Sequence, residues 1–212
     1  MYGLVNQGVR DLAIELGGEQ LWHEIAAAAG VGDETILSTR VYPDEVTYRL
    51  VAAASSVLRL TPDEVLHAFG RHWILYTARR GYGAIFDTMG SSLPSFLAHL
   101  DAMHARISLS MPELTPPSFV CEQLAEDRLR LEYWSHRPGL APMVGGMLEG
   151  LGEYFGLSLS VVHSVTRADD ADHDEFMVVY HPAKPDSDLL PGQRRPADDS
   201  SETAVSRPDA RA

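Results

Sequence analysis

Apolar positions in the first two thirds of the chain recur with a helical period. In residues 1–16 they fall at 1, 4, 5, 9, 12, 13 and 16, close to the 3.6-residue turn. Gly17 and Gly18 end that helix. A second helix is predicted over residues 19–29, stopped by Gly30, and a third over 44–58. Thr61, Pro62, Asp63 and Glu64 make a capping box with proline at the first helical position. A helix therefore starts there and runs to about residue 78. Pro94 opens another, to about residue 109. Pro112, Pro116 and Pro117 then forbid helix. Period 2 takes over in residues 128–134, where Leu129, Leu131 and Tyr133 share one face and Arg130 and Glu132 the other. Helix returns over 138–155. Residues 157–165 and 175–181 read as a β-hairpin around an acidic loop. The expected class is α+β: a mainly helical N-terminal part packed on a C-terminal antiparallel sheet.

Residues 1–182 read as one domain without internal repeats. Residues 183–212 carry four prolines, no aromatic residue and only Leu189, Leu190 and Val205 as large aliphatics. Such a segment cannot bury enough apolar area to offset its ordering entropy. It reads as a disordered Pro/Asp-rich tail, too short for an output domain.

Charge narrows the function classes. The 212 residues carry 17 Lys and Arg against 30 Asp and Glu, a formal net charge of −13. Nucleic-acid binding and attraction to an anionic membrane both need clustered cations, so neither is expected. Cys121 is the single cysteine, which excludes an intrachain disulfide or a cysteine-built metal cage. No apolar run reaches the roughly 20 residues of a membrane span. Arg10, Asp11 and Glu15 interrupt the N-terminal stretch, so no signal peptide is read. A soluble cytoplasmic protein is the expectation.

Two features could carry chemistry. In residues 93–111 an apolar stripe of Leu93, Leu97, Leu100, Ile107 and Met111 includes His104. The plain reading is a core histidine with a hydrogen-bonded neighbour. The sharper one is an axial ligand, because a neutral imidazole in a dry pocket suits haem iron. The second feature is Tyr133, Ser135 and Arg137. If the strand pitch continues, two hydroxyls and a guanidinium point inward together. Three donors, one of them cationic, suit a carboxylate. The plain alternative is a strand end reaching water, with Arg137 pairing a surface acid.

Other candidates fail. His23-Glu24 lacks the second histidine of a zincin motif. Gly81-Tyr82-Gly83 lacks the third glycine of a dinucleotide loop. Residues 169–175 hold five acids in seven, which reads as a solvated loop. Cys121 reads as a buried small hydrophobe or an oxidisable thiol.

Taken together, the chain resembles the H-NOX (haem–nitric oxide/oxygen binding, HNOB) domain, including that of the soluble guanylate cyclase beta subunit. The resemblance rests on Met1-Tyr2-Gly3-Leu4-Val5-Asn6, residues 48–55, Leu100-Asp101-Ala102-Met103-His104, Pro116-Pro117-Ser118-Phe119, and Tyr133-x-Ser135-x-Arg137. It covers residues 1 to about 182. Each piece alone is weak; the order and spacing together are specific.

The resemblance implies haem b as cofactor, with His104 as the proximal and only protein ligand to the iron. It implies that Tyr133, Ser135 and Arg137 hold the propionates and that Pro117 presses the haem out of plane. Val5, Trp73, Ile74, Met143, Val144 and Met147 would line the distal side. Oxygen-binding members place a tyrosine in the helix after the Tyr-x-Ser-x-Arg motif. Here residues 138–150 contain none, and Met143 is the expected equivalent. Tyr154 is nearly three turns further on. The implied function is a non-enzymatic sensor of nitric oxide, also binding carbon monoxide and excluding oxygen. The nitrosyl would weaken the iron–His104 bond and let the haem relax. Output would pass in trans to a histidine kinase or a cyclic-di-GMP enzyme. An oxygen sensor or carrier using the Trp73 indole, with His72 a weaker donor, and a haem-free interaction module are the alternatives.

Overall fold

The computed structural model describes residues 1–32, 36–86, 88–167 and 171–183, with main chain alone at 77–82. The expected tail after residue 183 and part of the acidic loop, residues 168–170, lie outside the described residues. Helix α1 (Gly3–Ala28) joins the two helices expected there. They meet at Gly18, whose φ of +74° bends the chain without a loop. Helix α2 (Asp44–Leu58) follows as expected. Helix α3 (Pro62–His72) opens on the expected capping box. The Thr61 hydroxyl accepts the Glu64 amide, and the Glu64 carboxylate accepts the Thr61 amide at 2.7 Å.

Three departures from the sequence reading matter for the site. After His72 the helix widens into a π-helical segment, Trp73–Ala78, and continues as α4 (Arg79–Phe86). The helix expected over 94–109 is two pieces, α5 (Leu93–Ala98) and α6 (Leu100–Ser108), broken at His99. The His99 ring reaches the Ser95 carbonyl at 2.6 Å, where α5 ends. The third departure is a strand that periodicity did not reveal, β1 (Ser118–Ala125). Most of its residues are exposed, so alternation is faint.

Strand β2 (Arg128–Trp134), helix α7 (Ala141–Tyr154), and strands β3 (Leu157–Val165) and β4 (Asp174–Pro182) complete the described chain. The four strands form one antiparallel sheet in the order β1-β2-β4-β3. The fold is α+β, with the N-terminal helices packed on the C-terminal sheet.

Two apolar cores result among the described residues. Val9, Trp22, Ile25, Leu50 and Phe69 anchor one among α1, α2 and α3. Leu93, Phe96, Leu129, Leu148 and Val178 anchor the other between α5, α7 and the sheet. Trp73 packs against both. Helices α3 and α7 approach closely because Gly70 and Gly146 carry no Cβ. One on Gly70 would strike the Met143 carbonyl, and one on Gly146 the His67 carbonyl. No helix among the described residues is long and apolar enough to cross a membrane.

Candidate functional site

A cavity of about 260 Å³ opens between the N-terminus of α1, the π-helical segment, α6, the sheet and α7. Its wall is overwhelmingly apolar. All eleven residues singled out from the sequence line it: His104, Pro117, Tyr133, Ser135, Arg137, Val5, Trp73, Ile74, Met143, Val144 and Met147.

Helix α6 presents Leu100, Met103, His104 and Ile107 to this space. None of its residues is fully buried, although its stripe is apolar. The stripe faces the cavity rather than another packed layer, which explains both facts. The His104 Nδ1 is buried and makes no hydrogen bond. Burial lowers the pKa of the imidazole, and outweighs the opposing pull of Asp101 and the Pro117 main chain. The ring is therefore neutral at pH 7, as a ligand to iron must be. It lies 6.0 Å from the Phe119 ring, which lies 5.4 Å from Tyr133.

Helix α6 is tied to β1 by one side chain. The Asp101 carboxylate accepts the Ser118 hydroxyl at 2.6 Å and the Phe119 amide at 2.9 Å. Pro116 and Pro117 immediately precede that anchor. The segment passing under His104 is thus fixed by proline geometry on one side and a carboxylate on the other.

The polar rim lies at the end of β2. Tyr133 is buried on the inner face with Leu129 and Leu131, as the period-2 pattern requires. Burial raises its pKa, outweighing the opposing pull of the neighbouring Ser135 hydroxyl. The phenol stays protonated and able to donate. The strand ends at Trp134, so Ser135 and Arg137 reach the cavity from a turn rather than from continued strand pitch. The Arg137 amide donates to the Ser135 hydroxyl oxygen at 3.1 Å.

Arg137 is already engaged. Its Nε donates to Asp44 Oδ2 at 2.7 Å and its Nη1 to the Thr115 carbonyl at 2.8 Å. The plain alternative, an acid partner for Arg137, is therefore realised in part. Asp44 also accepts from the Met1 ammonium at 2.5 Å. Burial pushes the Asp44 pKa up, but the ammonium and Arg137 together hold it below the ordinary value. Sequence reading missed both Asp44 and Thr115. Asp44 lies 93 residues from Arg137, and no local pattern links them.

These residues suit one kind of guest: a largely apolar body with anionic groups at one edge. The wall supplies the apolar contact, and Tyr133, Ser135 and Arg137 supply donors at one rim. His104 adds a lone imidazole to the apolar part. A haem with its two propionates fits this donor set.

Comparison with known proteins agrees with the geometry. The family model described as haem-NO-binding (HNOB) matches residues 2–163. The chain is 32% identical over 167 residues to the soluble guanylate cyclase gcy-34 of Caenorhabditis elegans, covering 76% of this chain and 24% of that protein. It is 31% identical over 123 residues to the guanylate cyclase soluble subunit beta-2 of Rattus norvegicus, covering 55% of this chain and 18% of that one. The chain thus spans about a quarter or less of these curated relatives. Solved structures are matched almost whole. An H-NOX protein from S. oneidensis in the Fe(II)NO state superposes with a TM-score of 0.76 at 20% identity, covering 85% of this chain and 99% of that one. A point mutant of T. Tengcongensis H-NOX gives 0.74 at 23%, covering 86% and 99%. The protein belongs to the haem-NO-binding family and carries the H-NOX fold.

Proposed function

We propose that this chain is a haem b sensor of nitric oxide that also binds carbon monoxide, excludes oxygen, and signals to a separate effector. The observation that carries the reading is the asymmetry of the cavity: one neutral imidazole, an apolar opposite wall, and a cationic rim. Haem, when bound, would supply an iron that binds the gas, and His104 would be the residue whose hold on that iron nitric oxide weakens.

The chain's own residues do the rest. His104 would hold the iron from α6. Tyr133, Ser135 and Arg137 would orient the propionates. Pro117, the residue before β1, would pack against the ring. Val5, Ile74, Met143, Val144 and Met147 line the distal side without a donor. Stable oxygen binding needs a hydrogen bond to the bound, partly negative gas, so that wall selects against it. The Trp73 indole is the donor among the distal lining residues and the basis of the oxygen-binding reading; His72, the weaker donor of that reading, is not among the lining residues and its Nδ1 lies 2.9 Å from the Glu15 carboxylate.

A shift of α6 passes to β1 through Asp101 and so to the sheet. A partner in trans would read that movement, a histidine kinase or a cyclic-di-GMP enzyme being the expected classes. Carbon monoxide ligation is named for an S. oneidensis H-NOX domain of the same fold.

The test is an anaerobic visible spectrum of the dithionite-reduced protein, repeated with nitric oxide and then in air. A broad ferrous Soret band, unchanged by air and converted to a five-coordinate nitrosyl form, supports the proposal. A stable split-band oxygen complex overturns the selectivity. Absence of any Soret band after haem is supplied overturns the whole reading in favour of a haem-free interaction module.

A further inference from the structure

The sheet's outer face, turned away from the cavity, carries a second cluster. Glu132 on β2 and Glu175 on β4 are direct cross-strand partners. Like charges in that position repel. His173 sits beside them, with Nε2 3.2 Å from Glu175 Oε1 and Nδ1 2.7 Å from Asp172 Oδ1. Each ring nitrogen of His173 thus faces a carboxylate, Nδ1 that of Asp172 and Nε2 that of Glu175. The Asp172 contact, and more weakly the Glu175 one, raise the imidazole pKa against the opposing effect of burial. A metal ion at Nε2 would take the place of the proton shared with Glu175.

The cluster is held in place. The Trp134 indole stacks on the His173 ring, centroids 4.3 Å apart and planes 14° apart. Its Nε1–H donates to Glu132 Oε2 at 3.3 Å. Side-chain exposure is 18% for His173, 20% for Glu132 and 19% for Glu175, so these are not freely solvated groups. Ligating atoms of the three residues all lie within 4.8 Å of one another. Arg130 reaches Glu132 at 3.5 Å, but its shorter contact, 2.7 Å, is to Glu122. Four carboxylates, those of Glu122, Glu132, Asp172 and Glu175, thus surround one guanidinium and one imidazole.

We propose that Glu132, His173 and Glu175 form a binding site for a divalent transition-metal ion of the zinc type. One imidazole nitrogen and two carboxylate oxygens make a three-ligand set with a coordination position left for water. The ion would displace the Nε2 proton and sit where that nitrogen and two carboxylates converge. Asp172, accepting from Nδ1–H, fixes the tautomer that presents Nε2 to the metal. Bound there, the ion cross-links β2 to β4. The proposal is independent of the haem reading, because it uses the opposite face of β2 from Tyr133.

The experiment is calorimetric titration of zinc chloride into the purified, tag-free full chain. Retained zinc is then counted by elemental analysis after dialysis. The wild type is expected to take up one zinc that Glu132→Gln and His173→Ala both lose. Asp172→Asn, which leaves all three ligands intact, is expected to bind that zinc about tenfold more weakly or worse. Circular dichroism identifies any variant that has not folded, and Glu175→Gln then replaces it. Zinc binding weaker than about 1 mM in the wild type, or equal stoichiometry and affinity in Glu132→Gln and His173→Ala, overturns the proposal.

Discussion

The Asp101 carboxylate accepts the Phe119 amide at 2.9 Å, and this contact joins the His104 helix to the first strand of the sheet. With the Ser118 hydroxyl on its other oxygen, Asp101 makes two charge-assisted hydrogen bonds one turn before His104. Asp101→Ala removes both. Stability is expected to fall by about 1–2 kcal/mol, with faster hydrogen exchange at the Phe119 amide. An unchanged exchange rate there would show that β1 is held by its pairing with β2 alone.

His104→Gly is expected to lose stable haem and to regain it when free imidazole fills the gap. A purified variant that keeps haem and the wild-type spectrum without imidazole would remove His104 as the ligand.

Arg137→Ala deprives a propionate of its cation. Haem loss to an apoprotein acceptor is expected to speed up about tenfold, equivalent to about 1.4 kcal/mol. Unchanged loss kinetics would leave Arg137 with its observed structural partners, Asp44 and Thr115, and no more.

Those partners make a pH prediction for the haem-free protein. Asp44 faces the Met1 ammonium and Arg137, with Tyr48 and Glu45 nearby. Its folded pKa lies below the ordinary 3.8. The stabilisation it provides is complete above that ordinary value and is lost as pH falls through the folded one. Asp44→Asn is expected to flatten the acid limb of the stability curve, measured by urea unfolding from about pH 6 down to about pH 3. Parallel curves for the two proteins would refute this.

Met143 tests the selectivity. Its helix carries no tyrosine near the cavity, and Met143 lines the wall. Met143→Tyr is expected to add a donor and yield an oxygen complex that persists in air, visible as split bands. If the reduced variant remains indifferent to air, Met143 does not face the bound gas.

Gly146→Ala tests the helix contact behind the distal wall. An added Cβ would strike the His67 carbonyl, which is main chain and cannot swing away. Overpacking of this kind costs about 1–3 kcal/mol. Thermal unfolding should show the loss, and a neutral result would mean that α3 and α7 can separate freely.

Much of this protein is legible without coordinates, and the reasons are local. The capping box at Thr61 and Glu64, the helix beginning at Asp44, and the alternation through Leu129, Leu131 and Tyr133 each follow from neighbouring residues. The histidine in an apolar stripe and the Tyr-x-Ser-x-Arg spacing are likewise short-range patterns. Strand β1 was hidden because an edge strand exposed along most of its length has no second face to bury. The break at His99 was hidden because both halves of 93–111 share one stripe, while the Ser95 carbonyl is taken by a ring.

The sequence alone determined the helical first part, the antiparallel strands, the acidic charge and the residue types available for a haem site. Those properties depend on backbone periodicity and composition, which act over a few residues. Tertiary structure decided what each polar group meets. It set Asp44 against Arg137 across 93 residues, tied α6 to β1 through Asp101, and paired Glu132 with Glu175 beneath His173. Such meetings depend on how whole elements pack, and no short-range pattern encodes the distance between two side chains far apart in the chain.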